Sequence, residues 1–397
     1  MRCGSNVIAV SAMRAIADRT AARVLTPAGG APYKRTPMTA TPFTTPPADA
    51  MPFRPGEEID AAALGRFLEG KVPGAAGTPA VWQFGGGKAN LTYLIRYPSG
   101  VEYVVRRPPH GPVAPSSHDM AREYRVLAVL HRAFPLAPRA HAFCDDPSVL
   151  GAPFFVMERR HGVVVRDTVP EEFGGGRDPV ANRKLSEVVI DTLVDFHAVD
   201  PKPVGLDTLG KPEGFLQRQV KGWTDRWERA RTRAIPGAEE TAHALAARLP
   251  RSPAPTLVHN DWRLDNMAVA FDDPGRCVAV YDWDMCTMGD PLADLGSLLS
   301  LWFEAGEETG AMAPMPSREP GFMTRDEAIA RYAARSGRDV SPMPWYHAFG
   351  IFKMAVVVQQ IYYRFAQGQT QDDRFAPMET VVEHLMGLAH AKVRRLG

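Results

Sequence analysis

Three short apolar runs lie close together in the C-terminal half of the chain: Thr256-Leu-Val, Met267-Ala-Val-Ala-Phe and Cys277-Val-Ala-Val-Tyr. Runs of this length and composition read as short buried strands, and the Asp, Asn, Gly and Pro residues between them favour tight connections. A segment built this way fixes the spacing of its polar residues. Those residues are His259, Asn260, Asp261, Arg263, Asp265 and Asn266, with Asp282 and Asp284 after the last run. Any fold for the chain has to hold these groups on one rigid hairpin-like platform.

The residue types suit ATP-dependent phosphoryl transfer. The transferred group carries charge that Mg²⁺ neutralises, and Mg²⁺ takes hard oxygen ligands while keeping several waters, so one or two protein carboxylates or amides suffice. The acceptor hydroxyl needs an oriented carboxylate to take its proton. Asp261 fits that role, and Asn266 and Asp282 fit the metal roles. An Asp-x-x-x-x-Asn pattern alone is common by chance; the strand-like flanks, the His-Asn-Asp start and Tyr281-Asp-Trp-Asp give it weight.

These residues resemble the catalytic loop of the aminoglycoside phosphotransferase-like (choline kinase-like) superfamily, His-Gly-Asp-x-x-x-x-Asn followed by an Ile-Asp-Trp-Glu-like motif. Asn260 stands where that family has glycine and Asp284 where it has glutamate. Met288-Gly-Asp-Pro-Leu-Ala-Asp-Leu-Gly is similar to a further element of the family. Within it, Asp290 before Pro291 reads as a helix N-cap and Asp294 as a lock on the loop. The resemblance implies an α+β, two-lobed protein-kinase-like fold: a small N-lobe with an antiparallel sheet plus helix, and a larger, mostly helical C-lobe. It also implies ATP or GTP with Mg²⁺ as cofactors and a small-molecule hydroxyl substrate. Arg263, from its place in the loop, is expected to counter charge near the acceptor.

Upstream, Val81-Trp-Gln-Phe, Leu91–Tyr97 and Glu102–Arg107 read as three antiparallel strands, with a glycine-rich turn at Gly85, Gly86, Gly87 and Asn90 between the first two. Glycines let backbone N–H groups approach phosphates closely. The turn is not a Walker A motif, because Trp82 stands where its first glycine is required and Ala89 replaces Ser/Thr. By the resemblance, Arg106 occupies the position of the phosphate-binding lysine, with Lys88 and Arg107 as open alternatives. Strand alternation puts Arg106 on the face of Val104, so Arg106 and Arg107 cannot both point one way. A helix from about His118 supplies Glu123 as the matching ion-pair partner. Met157-Glu158, ending an apolar strand, resembles the hinge whose backbone contacts adenine.

These expectations divide the chain into a flexible, disordered segment 1–55, an N-lobe 56–157 and a C-lobe 158–397. The first segment is rich in Ala, Thr, Pro and Arg and contains Asp18 and Asp49 as its acids; an organelle-targeting reading of it ranks second. Helices are expected at Glu57–Phe67, Asn182–Val199, Phe215–Arg233, Glu239–Arg248, Gly289–Leu301, Arg325–Ser336, Pro344–Gln367 and Pro377–Leu396. Trp223, Trp227, Arg226 and Tyr362-Tyr363-Arg364 are candidates for substrate lining, with core packing the more ordinary fate of the tryptophans.

A net charge of +1 gives no electrostatic case for nucleic acid or an anionic membrane. Four cysteines without a Cys-x-x-Cys pair read as free thiols of a cytoplasmic protein. The leading function is an O-phosphotransferase acting on a small molecule. The Arg/Trp segment 215–233 and the strand ending in Arg-Arg-Pro-Pro look similar to the branch joined to acyl-CoA dehydrogenases, which favours a hydroxyacyl-CoA-type metabolite over an antibiotic. The alternatives are an aminoglycoside phosphotransferase, a nucleotide-binding regulator without transfer activity, and a metal-dependent hydrolase using His259, Asp261 and Asp265.

Overall fold

The computed structural model describes residues 43–85, 90–109, 119–307, 315–370 and 372–396. Gly86, Gly87 and Lys88 of the glycine-rich turn lie outside the described residues, as does the start of the 1–55 segment. The chain forms two compact units. Among the described residues, 43–128 and Arg139–Arg159 make the smaller one, and Val129–Pro138 with 160–396 the larger.

The smaller unit is a six-stranded antiparallel sheet in the order β1-β2-β3-β4-β6-β5. Its strands are β1 (Ala50–Met51), β2 (Ala80–Phe84), β3 (Leu91–Arg96), β4 (Glu102–Arg107), β5 (Ala140–Cys144) and β6 (Phe154–Glu158). Alternation sorts its faces. Tyr93, Ile95, Tyr103 and Val105 join Phe154 in a core completed by Leu64 and Leu68 of helix α1 (Ala61–Leu68). On β4 this sends Arg107 to the core face. There its Nη1 donates to the Leu150 carbonyl at 2.7 Å, and burial lowers its pKa.

Two expectations are corrected here. The segment expected to be disordered through residue 55 includes a paired strand: β1 pairs with β2, and the Arg54 N–H donates to Gln83 Oε1 at 2.9 Å. A two-residue strand leaves no alternation to read. Helix α1 begins at Ala61 rather than Glu57, because Asp60 accepts from the Ala63 N–H at 2.9 Å and caps it.

The larger unit contains helices α4 (Pro179–His197), α5 (Phe215–Ala230), α6 (Ala238–Ala247), α7 (Pro291–Ser300), α8 (Arg325–Ser336), α9 (Met343–Ala366) and α10 (Met378–Val393). Helix α2 (Met120–Leu130) and the short α3 (Pro147–Leu150) precede them. Four strands carry the platform: β7 (Thr256–Val258) pairs with β10 (Thr287–Gly289), and β8 (Met267–Ala270) with β9 (Asp273–Val280). Below the loop between β7 and β8 lies an aromatic cluster. Phe196 stacks on Trp262 at 5.7 Å between ring centroids, and His259 meets Trp283 edge-on at 4.8 Å. The stretch Val129–Pro138 belongs with this unit rather than the N-lobe. Phe134 packs on Phe196 and Trp283, and the Leu136 carbonyl accepts from the Val280 N–H.

Trp223 and Trp227 are buried to 2% and 1% exposure, so both are core residues, although Arg226 lies over the Trp223 ring. Cys144, Cys277 and Cys286 are free thiols. Among the described residues no helix is long and apolar enough to cross a membrane.

Candidate active site

The loop after β7 is fixed atom by atom. Asp294, in the first turn of α7, accepts from the backbone N–H groups of His259 and Asn260, each at 2.6 Å. The same carboxylate meets His197 Nε2 at 3.3 Å, and the other His197 nitrogen faces the Tyr332 hydroxyl at 2.8 Å. Burial works against the charge on Asp294, but the donors around it prevail and hold its pKa below the ordinary value. Burial also keeps His197 neutral. The Asp290 carboxylate caps α7 through the Leu292 N–H at 2.9 Å and accepts from the Tyr346 hydroxyl at 2.7 Å. Both acids of the Gly-Asp-Pro-Leu-Ala-Asp element thus do the jobs read from the sequence.

Asn260 and Asp282 are the two non-glycine residues with left-handed backbone among the described residues, both with φ 67°. This explains Asn260 in a glycine position: Asn and Asp tolerate the left-handed region better than other side chains do. Backbone held this way stores strain and clusters where geometry is over-determined. The Asn260 side chain donates to the Met285 carbonyl at 2.9 Å, and its own carbonyl accepts from Lys353 Nζ at 2.9 Å.

Asp261 follows and is buried to 5% exposure. Asn266 Nδ2 donates to the Asp261 carbonyl at 2.8 Å and to its Oδ2 at 3.0 Å. The amide nitrogen is thereby engaged, and an amide oxygen serves as an acceptor. Arg263 Nε stands 3.9 Å from Asp261 Oδ1. Burial raises the Asp261 pKa, Arg263 opposes the rise, and the negative charges of Asp282 and Asp265 add to it. Arg263 itself forks onto Asp265, with Nε at 2.6 Å from Oδ1. It is bound to Asp265, beside the Asp261 carboxylate. The His259 ring is engaged at both nitrogens, by the Tyr281 carbonyl at 2.9 Å and the Asp261 N–H at 3.3 Å. Among the described residues no cluster of three or more His, Cys, Asp or Glu side chains could hold a metal, so the metal-hydrolase alternative lacks its ligand set.

A pocket opens beside Asp261 within the larger unit. Asn260, Ser297, Ser300, Gly350 and Lys353 line it together with Asp261, and Trp262, Leu301 and Met354 give it apolar walls. Lys353 was not singled out from the sequence. Its signal is there to read: a lone cation inside the apolar run Phe349–Val358 of α9, where an ordinary lysine is rarely buried.

In the smaller unit, Arg106 Nε forms an ion pair with Glu123 Oε2 at 3.0 Å, and Glu123 is 1% exposed. The pair lies on the sheet face opposite Arg107, so of the two adjacent arginines it is Arg106 that meets the helix carboxylate. Gly85 is exposed, and its carbonyl accepts from Arg54 Nη2 at 3.0 Å; Asn90 is buried. Met157 is buried opposite Val104, and the Glu158 N–H donates to the Arg139 carbonyl at 2.8 Å. The strand carrying both ends at Glu158, one residue before the smaller unit does.

A family model described as APH, phosphotransferase enzyme family, matches residues 81–340. The chain belongs to this family. It has the kinase-like fold of its structural neighbours, with an antiparallel sheet in its N-terminal part and a helical C-terminal part. The crystal structure of a candidate aminoglycoside phosphotransferase from Ralstonia eutropha JMP134 is 27% identical, with a TM-score of 0.73 over 85% of this chain and 99% of that one. The GDP complex of aminoglycoside 2'-phosphotransferase-IIIa, 11% identical with a TM-score of 0.55, covers 83% of this chain and 99% of its own; at that identity it shows the fold alone. By sequence, the chain is 30% identical over 343 residues to mouse acyl-CoA dehydrogenase family member 10, covering 85% of this chain. It spans 31% of that relative's length.

Proposed function

We propose that this phosphotransferase moves the γ-phosphoryl group of ATP, or of GTP, to a hydroxyl of a small molecule. The observation that carries the reading is Asp261 itself: a buried carboxylate with a raised pKa, held by Asn266, at the wall of a narrow recess. A base with raised proton affinity accepts the hydroxyl proton more readily than an ordinary aspartate does. Asn266 and Asp282 offer an amide oxygen and a carboxylate, hard donors that fit Mg²⁺ with waters filling its shell. When bound, the cation neutralises charge on the phosphates.

The remaining residues bind and orient. Arg106, steered by Glu123, supplies a fixed positive charge to the nucleotide phosphates where lysine is usual; its planar fork can take two oxygens at once. The glycine-rich turn, which includes Gly85 and Asn90, is assigned to the nucleotide phosphates, and the hinge segment at Met157-Glu158 to the adenine. Arg263 tempers the negative field around Asp261. For the acceptor, the acyl-CoA dehydrogenase family names of the relatives support a hydroxyacyl-CoA-type metabolite. An aminoglycoside is the competing class.

Asp261→Ala is expected to lower phosphoryl transfer by about 10³-fold or more, with the far-UV circular dichroism unchanged. Turnover at the wild-type rate would overturn the assignment. A parallel screen of hydroxyacyl-CoA and aminoglycoside acceptors separates the two substrate classes.

A further inference from the structure

Lys353 is a buried ammonium that the roles above leave unused. It sits in the middle of α9, 7% exposed, and donates to the Asn260 carbonyl at 2.9 Å and to Ser297 Oγ at 3.3 Å, with its Nζ 5.7 Å from the Trp223 ring centre. A leucine or methionine would fill such a position without the desolvation cost of a charge. Two features of its surroundings give the charge a purpose. First, the Asn260 peptide is clamped from both sides, its N–H by Asp294 and its carbonyl by Lys353, and Asp261 is the next residue. Second, of the side chains lining the pocket, Asp261 and Lys353 are the two that carry formal charge.

Building on the phosphotransfer reading, we infer that Lys353 positions Asp261 through the Asn260 carbonyl and sets the charge class of the acceptor. The ammonium beside Asp261 favours hydroxyl compounds that are neutral or anionic near the reacting end and disfavours polycations. An ammonium donates hydrogen bonds to carbonyl or carboxylate oxygens of the acceptor and repels a second ammonium held in the same pocket.

The two jobs separate by substitution. Lys353→Gln keeps a donor for the Asn260 carbonyl and removes the charge; Lys353→Met removes both. The probes are 6-hydroxyhexanoate and 6-amino-1-hexanol, matched in length and opposite in charge. Binding is read by NMR titration, and transfer by kcat and KM for each acceptor. The wild type is expected to bind the hydroxy acid at least about tenfold more tightly than the amino alcohol. In Lys353→Gln that ratio should fall to within about twofold. In Lys353→Met the ratio collapses too, and kcat drops about tenfold or more below the Gln variant. Equal binding of the two probes to the wild type, binding of neither, or an unchanged ratio in Lys353→Gln overturns the charge assignment; an unchanged kcat in Lys353→Met overturns the positioning role. Because binding is read apart from transfer, a wild type that discriminates without transferring would defeat the phosphotransfer reading and leave the charge assignment standing. If Lys353→Met does not fold, the Gln variant still carries the charge test, and Lys353→Arg, which keeps charge and changes reach, carries the positioning test through kcat.

Discussion

Asp261 and Asp294 are two buried carboxylates that share one loop, and their proton affinities move in opposite directions. Asp294 is surrounded by donors: two backbone N–H groups at 2.6 Å and the His197 ring. Asp261 is just as buried, but it meets an amide donor at 3.0 Å, an arginine at 3.9 Å that is already bound to Asp265, and the negative field of Asp282. The pKa of the first is held below its ordinary value, and that of the second is pushed above it. Burial alone therefore does not say what a carboxylate is for. The donors supplied to it decide whether it is a strut or a base.

The largest expected effect comes from removing the member of the pair proposed as the base. Asp261→Asn should abolish transfer to about 10³-fold or more below wild type, as loss of a general base does. The same variant should melt at a higher temperature. The sign follows from linkage: a carboxyl whose folded pKa lies above its unfolded value favours folding at low pH, and that contribution is lost as pH rises through the folded pKa. At neutral pH the ionised Asp261 is a cost, so neutralising it stabilises the fold at the expense of function. A scan showing a lower Tm for Asp261→Asn would remove Asp261 from the class of withheld-donor carboxylates.

Removing the structural member should do the reverse. Asp294→Ala strands two buried N–H groups and the His197 ring, and is expected to destabilise the protein by about 3–5 kcal/mol in urea unfolding. Its pH signature has the opposite sign to that of Asp261. A depressed folded pKa gives stability that is present above the unfolded value of about 3.9 and lost as pH falls through the folded one. Unfolding free energies measured below about pH 5 should therefore fall less steeply with acid in Asp294→Ala than in the wild type. Equal slopes would mean that Asp294 is not held below its ordinary range.

The sequence carried much of this and missed particular parts for physical reasons. The platform strands were legible because buried runs bounded by turn residues have few other readings. Helix α8 was legible to its ends because Thr324 and Glu327 form a capping box and Gly337 closes it. Asp290 and Asp294 were legible as cap and lock because Asp-Pro at a helix start has a local meaning. What failed was non-local. β1 is two residues long and becomes a strand only by pairing with β2. Lys353 reaches a carbonyl 93 positions away, and nothing in α9 alone names that partner.

The smallest expected effect lies at the joint between the two carboxylates. Asn260 gives its N–H to Asp294 and precedes Asp261 in the chain. Asn260→Gly accepts the left-handed backbone without strain and loses the side-chain bond to the Met285 carbonyl, a net cost of about 0.5–1.5 kcal/mol. Asn260→Ala loses the same bond and adds about 1–2 kcal/mol of left-handed strain, so it should be the less stable of the two. The Asp294 lock is backbone to side chain and survives both changes, so kcat in Asn260→Gly should stay within a few-fold of wild type. If Asn260→Gly instead lost activity as severely as Asp261→Asn, the Asn260 side chain would have to be counted among the groups that aim the base, and the lock would not be sufficient to hold it.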